Sequence, residues 1–193
     1  MKLPDKEHRI EMGWLYATDW IKAVHMFEHR LTSELPEDNF FEGVGPRLEV
    51  DFNCYLMALR RLERAVVMAY DAWDDKTPNL PKALNTFRRS TPFLADVRNV
   101  NEHFDDYLNY KGNSKKVDIS SMAVWKININ GKVIYRQGGL YLESLEPMDV
   151  NSKSCIIEWL NYTIDLNKSS KEANALYIAF IKWFKTIPKP ILK

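Results

Sequence analysis

Two long stretches of apolar residues, spaced alternately by three and four, limit what this chain can fold into more than any other feature. Ile10, Trp14, Ala17, Ile21, Val24, Leu31 and Leu35 form the first stripe, with Glu28 taking one turn of it. Phe52, Leu56, Leu59, Val66, Tyr70 and Trp73 form the second, where Glu63 holds the same odd position. A recurrence near 3.6 residues puts each set along one side of a helix. The spacing therefore predicts amphipathic helices from about Lys6 to Leu35 and from about Glu49 to Trp73. Pro36, Gly43, Gly45 and Pro46 supply the break between them. Helices this long bury a stripe best against another helix, which commits the chain to a bundle.

The remaining sequence adds to that bundle. Leu80, Leu84 and Phe87 predict a shorter helix ending near Ser90, and Pro92 suits the first turn of the next, with Ser90 or Thr91 as its cap. Phe93, Val97, Val100, Phe104 and Leu108 form that fourth helix's stripe. Beyond Gly112 the period falls to two: Trp125, Ile127 and Ile129 alternate with Lys126, Asn128 and Asn130, then Gly131 leads into Val133-Ile134-Tyr135. Asn-Gly between two such runs is a hairpin signal. After Gly138-Gly139, Leu140-Tyr141-Leu142 has the makings of a short third strand. Ile156, Leu160 and Ile164, and then Leu176, Phe180, Ile181 and Phe184, return to helical spacing, with Ser169 or Ser170 as an N-cap between them. The expected fold is mainly α, a four- to six-helix bundle with a small inserted antiparallel β-hairpin. We expect one domain over residues 1–193: a four-helix core at about 6–110, the hairpin at about 117–143 and C-terminal helices at about 149–186.

A chain of 193 residues, 46% hydrophobic and 27% charged, can bury one sizeable core and does not have the composition of a disordered segment. Its formal net charge of +1 gives no strong overall attraction to nucleic acid, so any RNA contact must come from a local patch. Cys54 and Cys155 stand far apart without CxxC spacing, and no Gly-rich phosphate loop or nucleophile elbow occurs. No cofactor is expected. No run approaches the roughly 18 apolar residues of a membrane span, and the first residues lack a signal-like apolar stretch, so the expected location is the cytoplasm, without membrane contact.

Chemistry concentrates in Arg98-Asn99-Val100-Asn101-Glu102-His103, which has the form R-N-x-x-x-H. Arginine binds phosphate through paired donors and imidazole moves protons near neutral pH, so the run holds the side chains needed to cleave RNA without metal. Stepping roughly 100° per residue from Val97 turns Arg98, Asn99, Glu102 and His103 away from the apolar stripe. Asn99 and His103 share a ridge that Tyr107 extends, and Glu102 lies four residues from Arg98, where an ion pair competes for the guanidinium. A two-fold dimer burying this face would bring two such sets into one cleft. Asp105 and Asp106 would repel a phosphate backbone; Arg88, Arg89, Lys111, Lys115 and Lys116 are the nearby cations that could offset them.

The motif, its place on the fourth helix and the helical cluster around it resemble the HEPN superfamily. That resemblance implies a bundle of four to five helices, commonly dimeric, whose active members are metal-independent endoribonucleases, often toxins or defence factors. It implies that Arg98 neutralises the scissile phosphate, Asn99 positions it, and His103 acts as general acid or base while the RNA 2′-hydroxyl attacks. The hairpin and the C-terminal segment fall outside the resemblance.

Two other readings stand beside it. The motif face or the hairpin edge can serve a non-catalytic protein–protein interaction module. His25 and His29, four apart in an H-x-x-E-H spacing, can share a metal if His103 or Glu63 supplies a third ligand, giving a metal-binding helical-bundle enzyme. The plainer account makes His25 and His29 the polar flank of a long helix, with Glu28 paired to Arg60, Arg61 or Arg64. The same three arginines, beside Glu63, read as a solvated ion-paired face.

Overall fold

The two long stripes pack against each other as an antiparallel helix pair in the computed structural model, which describes residues 5–33, 45–74, 77–94, 96, 124–129, 132–137, 140–144, 155–159 and 162–188. The pair is α1 (Lys6–Ser33) and α2 (Gly45–Ala72). Its direction follows from the contacts at its ends. Lys6 reaches Asp74 just past α2, while Arg30 in the last turn of α1 clamps Asp51 near the start of α2, at 3.1 Å from Nε and 3.0 Å from Nη2. Ile10, Ala17, Ile21, Val24 and Leu31 meet Phe52, Leu56, Leu59, Leu62 and Val66 in the core between them. Gly13 allows the closest approach: a Cβ there would lie 2.5 Å from the Ala69 Cβ and 2.9 Å from the Ala65 carbonyl oxygen. Trp14 departs from its expected place in the stripe. It is 36% exposed and stacks on Phe184 at 5.6 Å, because Gly13 beside it takes the close contact with α2.

The short helix α3 (Asn79–Ser90) buries Leu80, Leu84 and Phe87 as its spacing predicts. Ser90 and Thr91 do not turn forward; both hydroxyls donate back to the Phe87 carbonyl, at 2.9 and 2.8 Å. Phe93, Leu94 and Asp96 are helical, so a further helix does begin after Pro92.

The expected hairpin is the middle of a larger sheet. Strands β1 (Val124–Ile129), β2 (Lys132–Gln137), β3 (Leu140–Ser144), β4 (Cys155–Trp159) and β5 (Tyr162–Asp165) lie in the order β3-β2-β1-β4-β5, every neighbouring pair antiparallel. Ile129 opposite Lys132 leaves Asn130-Gly131 as a two-residue connection, the spacing that dipeptide favours.

The C-terminal segment corrects the expectation of helices from about 149 onward. Residues 155–159 and 162–165 are strands, and helix starts only at α4 (Leu166–Phe184). Ile156, Leu160 and Ile164 fit a helical stripe, but Cys155, Ile157 and Trp159 fit a strand of period two, and these three are the buried set. Pairing with β1, together with the β-branched and aromatic residues of Ile156-Ile157 and Tyr162-Thr163-Ile164, decides for the strand. The N-cap moves accordingly. Asp165 accepts from the Lys168 amide at 2.9 Å, and Ser169 and Ser170, expected as caps, are buried inside the helix.

Core packing joins sheet and helices. Phe52 meets Trp159 edge to face at 6.3 Å, and the Tyr55 hydroxyl, buried in α2, donates to the Leu166 carbonyl at 3.0 Å and lies 2.9 Å from the Ser170 hydroxyl. Trp14 against Phe184 and Thr18 beside Tyr177 run α4 antiparallel to α1. Among the described residues the result is a mainly helical bundle of four complete helices with an antiparallel sheet on it, and no helix there is long and apolar enough to cross a membrane.

Candidate functional site

Arg98, Asn99, Glu102, His103 and Tyr107 lie outside the described residues, as do Lys111, Lys115 and Lys116. The structure does describe the turn that leads into them. Phe93 and Leu94 are buried, which ties the start of that helix to the core along the stripe the sequence indicates. Asp96, two residues before Arg98, accepts a hydrogen bond from the Tyr162 hydroxyl at the start of β5. That bond, followed by burial and the Asp96 charge, pushes the Tyr162 phenol up to about 12. A strand of the sheet thus holds the helix one step ahead of the motif.

Arg88 and Arg89 sit at the end of α3 and differ in what they have left to offer. The Arg88 Nε donates to Glu63 at 2.6 Å, and Glu63 also takes Arg60, so a buried carboxylate is shared by two guanidiniums. Among the described residues Arg89 reaches the Asn85 carbonyl of its own helix, at 3.3 Å. Arg89 is therefore the one of the pair without an acidic partner among the described residues, and Arg88 meets an anion with its charge partly compensated by the carboxylate it shares with Arg60.

The metal reading gains no ligand set here. His25 Nδ1 lies 3.5 Å from Glu28 Oε2 on a half-exposed face, His29 is exposed, and Glu63 is held by arginines. Among the described residues no three His, Cys, Asp or Glu side chains gather as metal ligands would. Glu28 takes His25 where an arginine of α2 was expected, because antiparallel packing sets the end of α1 beside Asp51, about two and a half to three and a half turns away from Arg60, Arg61 and Arg64.

One surface went unread in the sequence. Tyr16 and Trp20 of α1 and Arg61, Arg64, Ala65 and Met68 of α2 line a shallow groove of about 360 Å³ along the outer seam of the helix pair. The Arg61 guanidinium lies over the Trp20 ring at 5.0 Å, a cation–π contact rather than the ion pair expected of it. Arg61 and Arg64 have no carboxylate partner among the described residues. Half-exposed Met57 and more exposed Val50 continue the seam along α2. The signal available in advance was Tyr16 and Trp20 four residues apart, beside rather than within the core stripe.

The two cysteines are free: Cys155 is buried and Cys54 partly exposed. Burial first, then the charges of Asp165 and Glu28, push the Cys155 thiol up to about 12, which suits a packing role and not a nucleophile.

No protein-family model, no curated protein and no solved structure matches the chain.

Proposed function

We propose that the chain is a metal-independent endoribonuclease of toxin or defence type, working as a homodimer through the face that carries Arg98, Asn99 and His103. The observation that carries the reading is the R-N-x-x-x-H run, which follows within two residues of an aspartate held by Tyr162. In this reading Arg98 neutralises the scissile phosphate and Asn99 orients it. One His103 takes the proton of the RNA 2′-hydroxyl as that oxygen attacks phosphorus. The partner subunit's His103 returns a proton to the departing 5′-oxygen. The products are a 2′,3′-cyclic phosphate and a 5′-hydroxyl, with no net proton change. The mainly helical bundle and an Arg89 without an acidic partner among the described residues support this reading.

The test is cleavage of a mixed RNA pool in EDTA by the wild-type chain, His103→Ala and Arg98→Ala. Each substitution is expected to slow cleavage by about 100-fold or more, the usual weight of a general acid–base group. Equal cleavage by all three, or none by a folded dimer, overturns the proposal.

A second reading, a protein–protein interaction module, draws support from the α1–α2 seam. Trp, Tyr, Arg and Met are the residues that dominate interface cores, and two arginines without a carboxylate partner among the described residues favour an acidic partner. Arg61→Glu with Arg64→Glu separates the readings: the pair leaves RNA cleavage intact if the motif face is the site, and abolishes partner binding if the seam is.

A further inference from the structure

Helix α2 carries a second stripe besides the one that faces the core. Val50, Cys54, Met57, Arg61, Arg64 and Met68 follow one another alternately four and three residues apart, the period of a coiled-coil seam. Stepping roughly 100° per residue places them on the far side of the helix from the buried Phe52, Leu56, Leu59 and Val66. Val50 is 59% exposed and Met57 45%; Arg61 and Arg64 are exposed, and Cys54 and Met68 are half-buried. Tyr16 and Trp20 of α1 run beside the Arg61–Met68 end and form the other wall of the groove there. The fold makes no use of this side of α2, and a regular apolar stripe left at the surface marks a binding surface.

The order of chemistry along the stripe specifies what covers it. Apolar residues stand at both ends, Val50 and Met57 at one and Met68 with Tyr16 at the other, and Arg61 and Arg64 lie between. Neither arginine has a carboxylate partner among the described residues, and Arg61 is held over the Trp20 ring at 5.0 Å. A guanidinium stacked on a ring keeps its in-plane N–H groups for a carboxylate. Apolar side chains alone would strip water from two charges and return nothing. A second copy of the stripe fares no better, since it contains no carboxylate to set against the arginines. A nucleic-acid strand brings a phosphate at every step, which suits a row of cations rather than two arginines flanked by Val50, Met57 and Met68. From Val50 to Met68 the stripe runs roughly 27 Å, the length of a five-turn helix.

We propose that the α1–α2 seam docks an amphipathic helix of a partner protein, laid along α2 as a third helix, whose buried stripe reads apolar, acidic, apolar. Two carboxylates, roughly one turn apart on the partner, take Arg61 and Arg64, and Leu-like side chains on either side cover Val50, Met57, Met68 and Tyr16. The inference rests on the interaction-module reading, whose partner it specifies, and is independent of the ribonuclease reading.

Fluorescence anisotropy of labelled synthetic helices with the full chain tests the proposal. Each helix is about six turns long and Ala-rich, with Leu along one coiled-coil stripe, and three versions carry Glu-Glu, Lys-Lys or Leu-Leu at its two central positions. The Glu-Glu helix is expected to bind at least about tenfold tighter than either of the others. Arg61→Glu with Arg64→Glu should reverse the order of the Glu-Glu and Lys-Lys helices, and Met57→Asp should weaken all binding. These substitutions fall at exposed positions, and circular dichroism checks that the fold is kept. Equal binding of the Leu-Leu and Glu-Glu helices, lost in Met57→Asp, would overturn the acidic partner while leaving the seam an interaction surface. Binding by none of the three would overturn the seam reading as well. An order unchanged by the charge reversal would overturn the proposal. So would an oligouridylate that displaces the Glu-Glu helix from the wild type and fails to bind the reversed variant, or a dimer of the chain that Met57→Asp dissolves.

Discussion

At Gly13 a methyl group would need space that α2 already holds, 2.5 Å from one Cβ and 2.9 Å from a carbonyl oxygen. Alanine gains about 1 kcal/mol of helix propensity there, yet overpacking a rigid crossing costs about 1–3 kcal/mol. Gly13→Ala is therefore expected to lose about 1 kcal/mol in urea unfolding, against its helix propensity. Glu63 is the opposite case, a charge that must be present. Its removal in Glu63→Ala leaves Arg60 and Arg88 without their shared carboxylate, and a loss of about 1–3 kcal/mol is expected, because both guanidiniums are partly exposed and water screens them. Cys155 sets a pH signature. Its folded-state value, about 12, lies above the ordinary 9.0, so burial of the neutral thiol contributes stability that is fully present below pH 9 and lost as pH rises toward 12. At pH 8 a thiol reagent is expected to modify Cys54 in the native chain and Cys155 only after unfolding; equal rates would contradict the buried placement.

Among elements, the link between Tyr162 and Asp96 couples the sheet to the helix that leads into the motif. The Tyr162 phenol is raised above its ordinary 10.0, so its contribution is fully present below pH 10 and lost as pH rises through about 12. Tyr162→Phe is expected to leave folding near neutral pH within about 1 kcal/mol of wild type, the usual weight of one net hydrogen bond. It should flatten the fall in stability above pH 10 and slow RNA cleavage. Stability curves against pH for the two chains check the first part, and single-turnover cleavage the second.

How far the elements could be read ahead follows the same physics. Helices α1, α2 and α3 declare themselves because each keeps one apolar side over several turns, and the first hairpin because Asn130-Gly131 sits between strands of period two. The segment 155–165 does not, since Ile156, Leu160 and Ile164 satisfy a helix while Cys155, Ile157 and Trp159 satisfy a strand. Only pairing with β1, more than two dozen residues earlier, separates the two. The motif is visible as residue types and spacing alone. The α1–α2 seam arises from packing two helices side by side, which no single stripe encodes.

For the molecule as a whole, a net charge of +1 means that RNA is not drawn in by the overall field. The proposed activity therefore rests on few contacts: the two motif sets of a dimer and neighbours such as Arg89. Arg89→Ala is expected to weaken RNA binding several-fold and to lower the salt dependence of binding by about one phosphate contact, while Arg88→Ala acts mainly through stability by exposing Glu63. Binding isotherms at two salt concentrations, with urea unfolding of both variants, separate these effects. The account depends most on the 2′-hydroxyl as nucleophile. The most direct measurement is end-group analysis of one oligonucleotide, as RNA and as its fully 2′-deoxy counterpart, incubated with the chain in EDTA. RNA cleaved to 2′,3′-cyclic phosphate and 5′-hydroxyl ends, beside intact DNA, is the predicted result; cleavage of both strands, or 5′-phosphate ends, would contradict it.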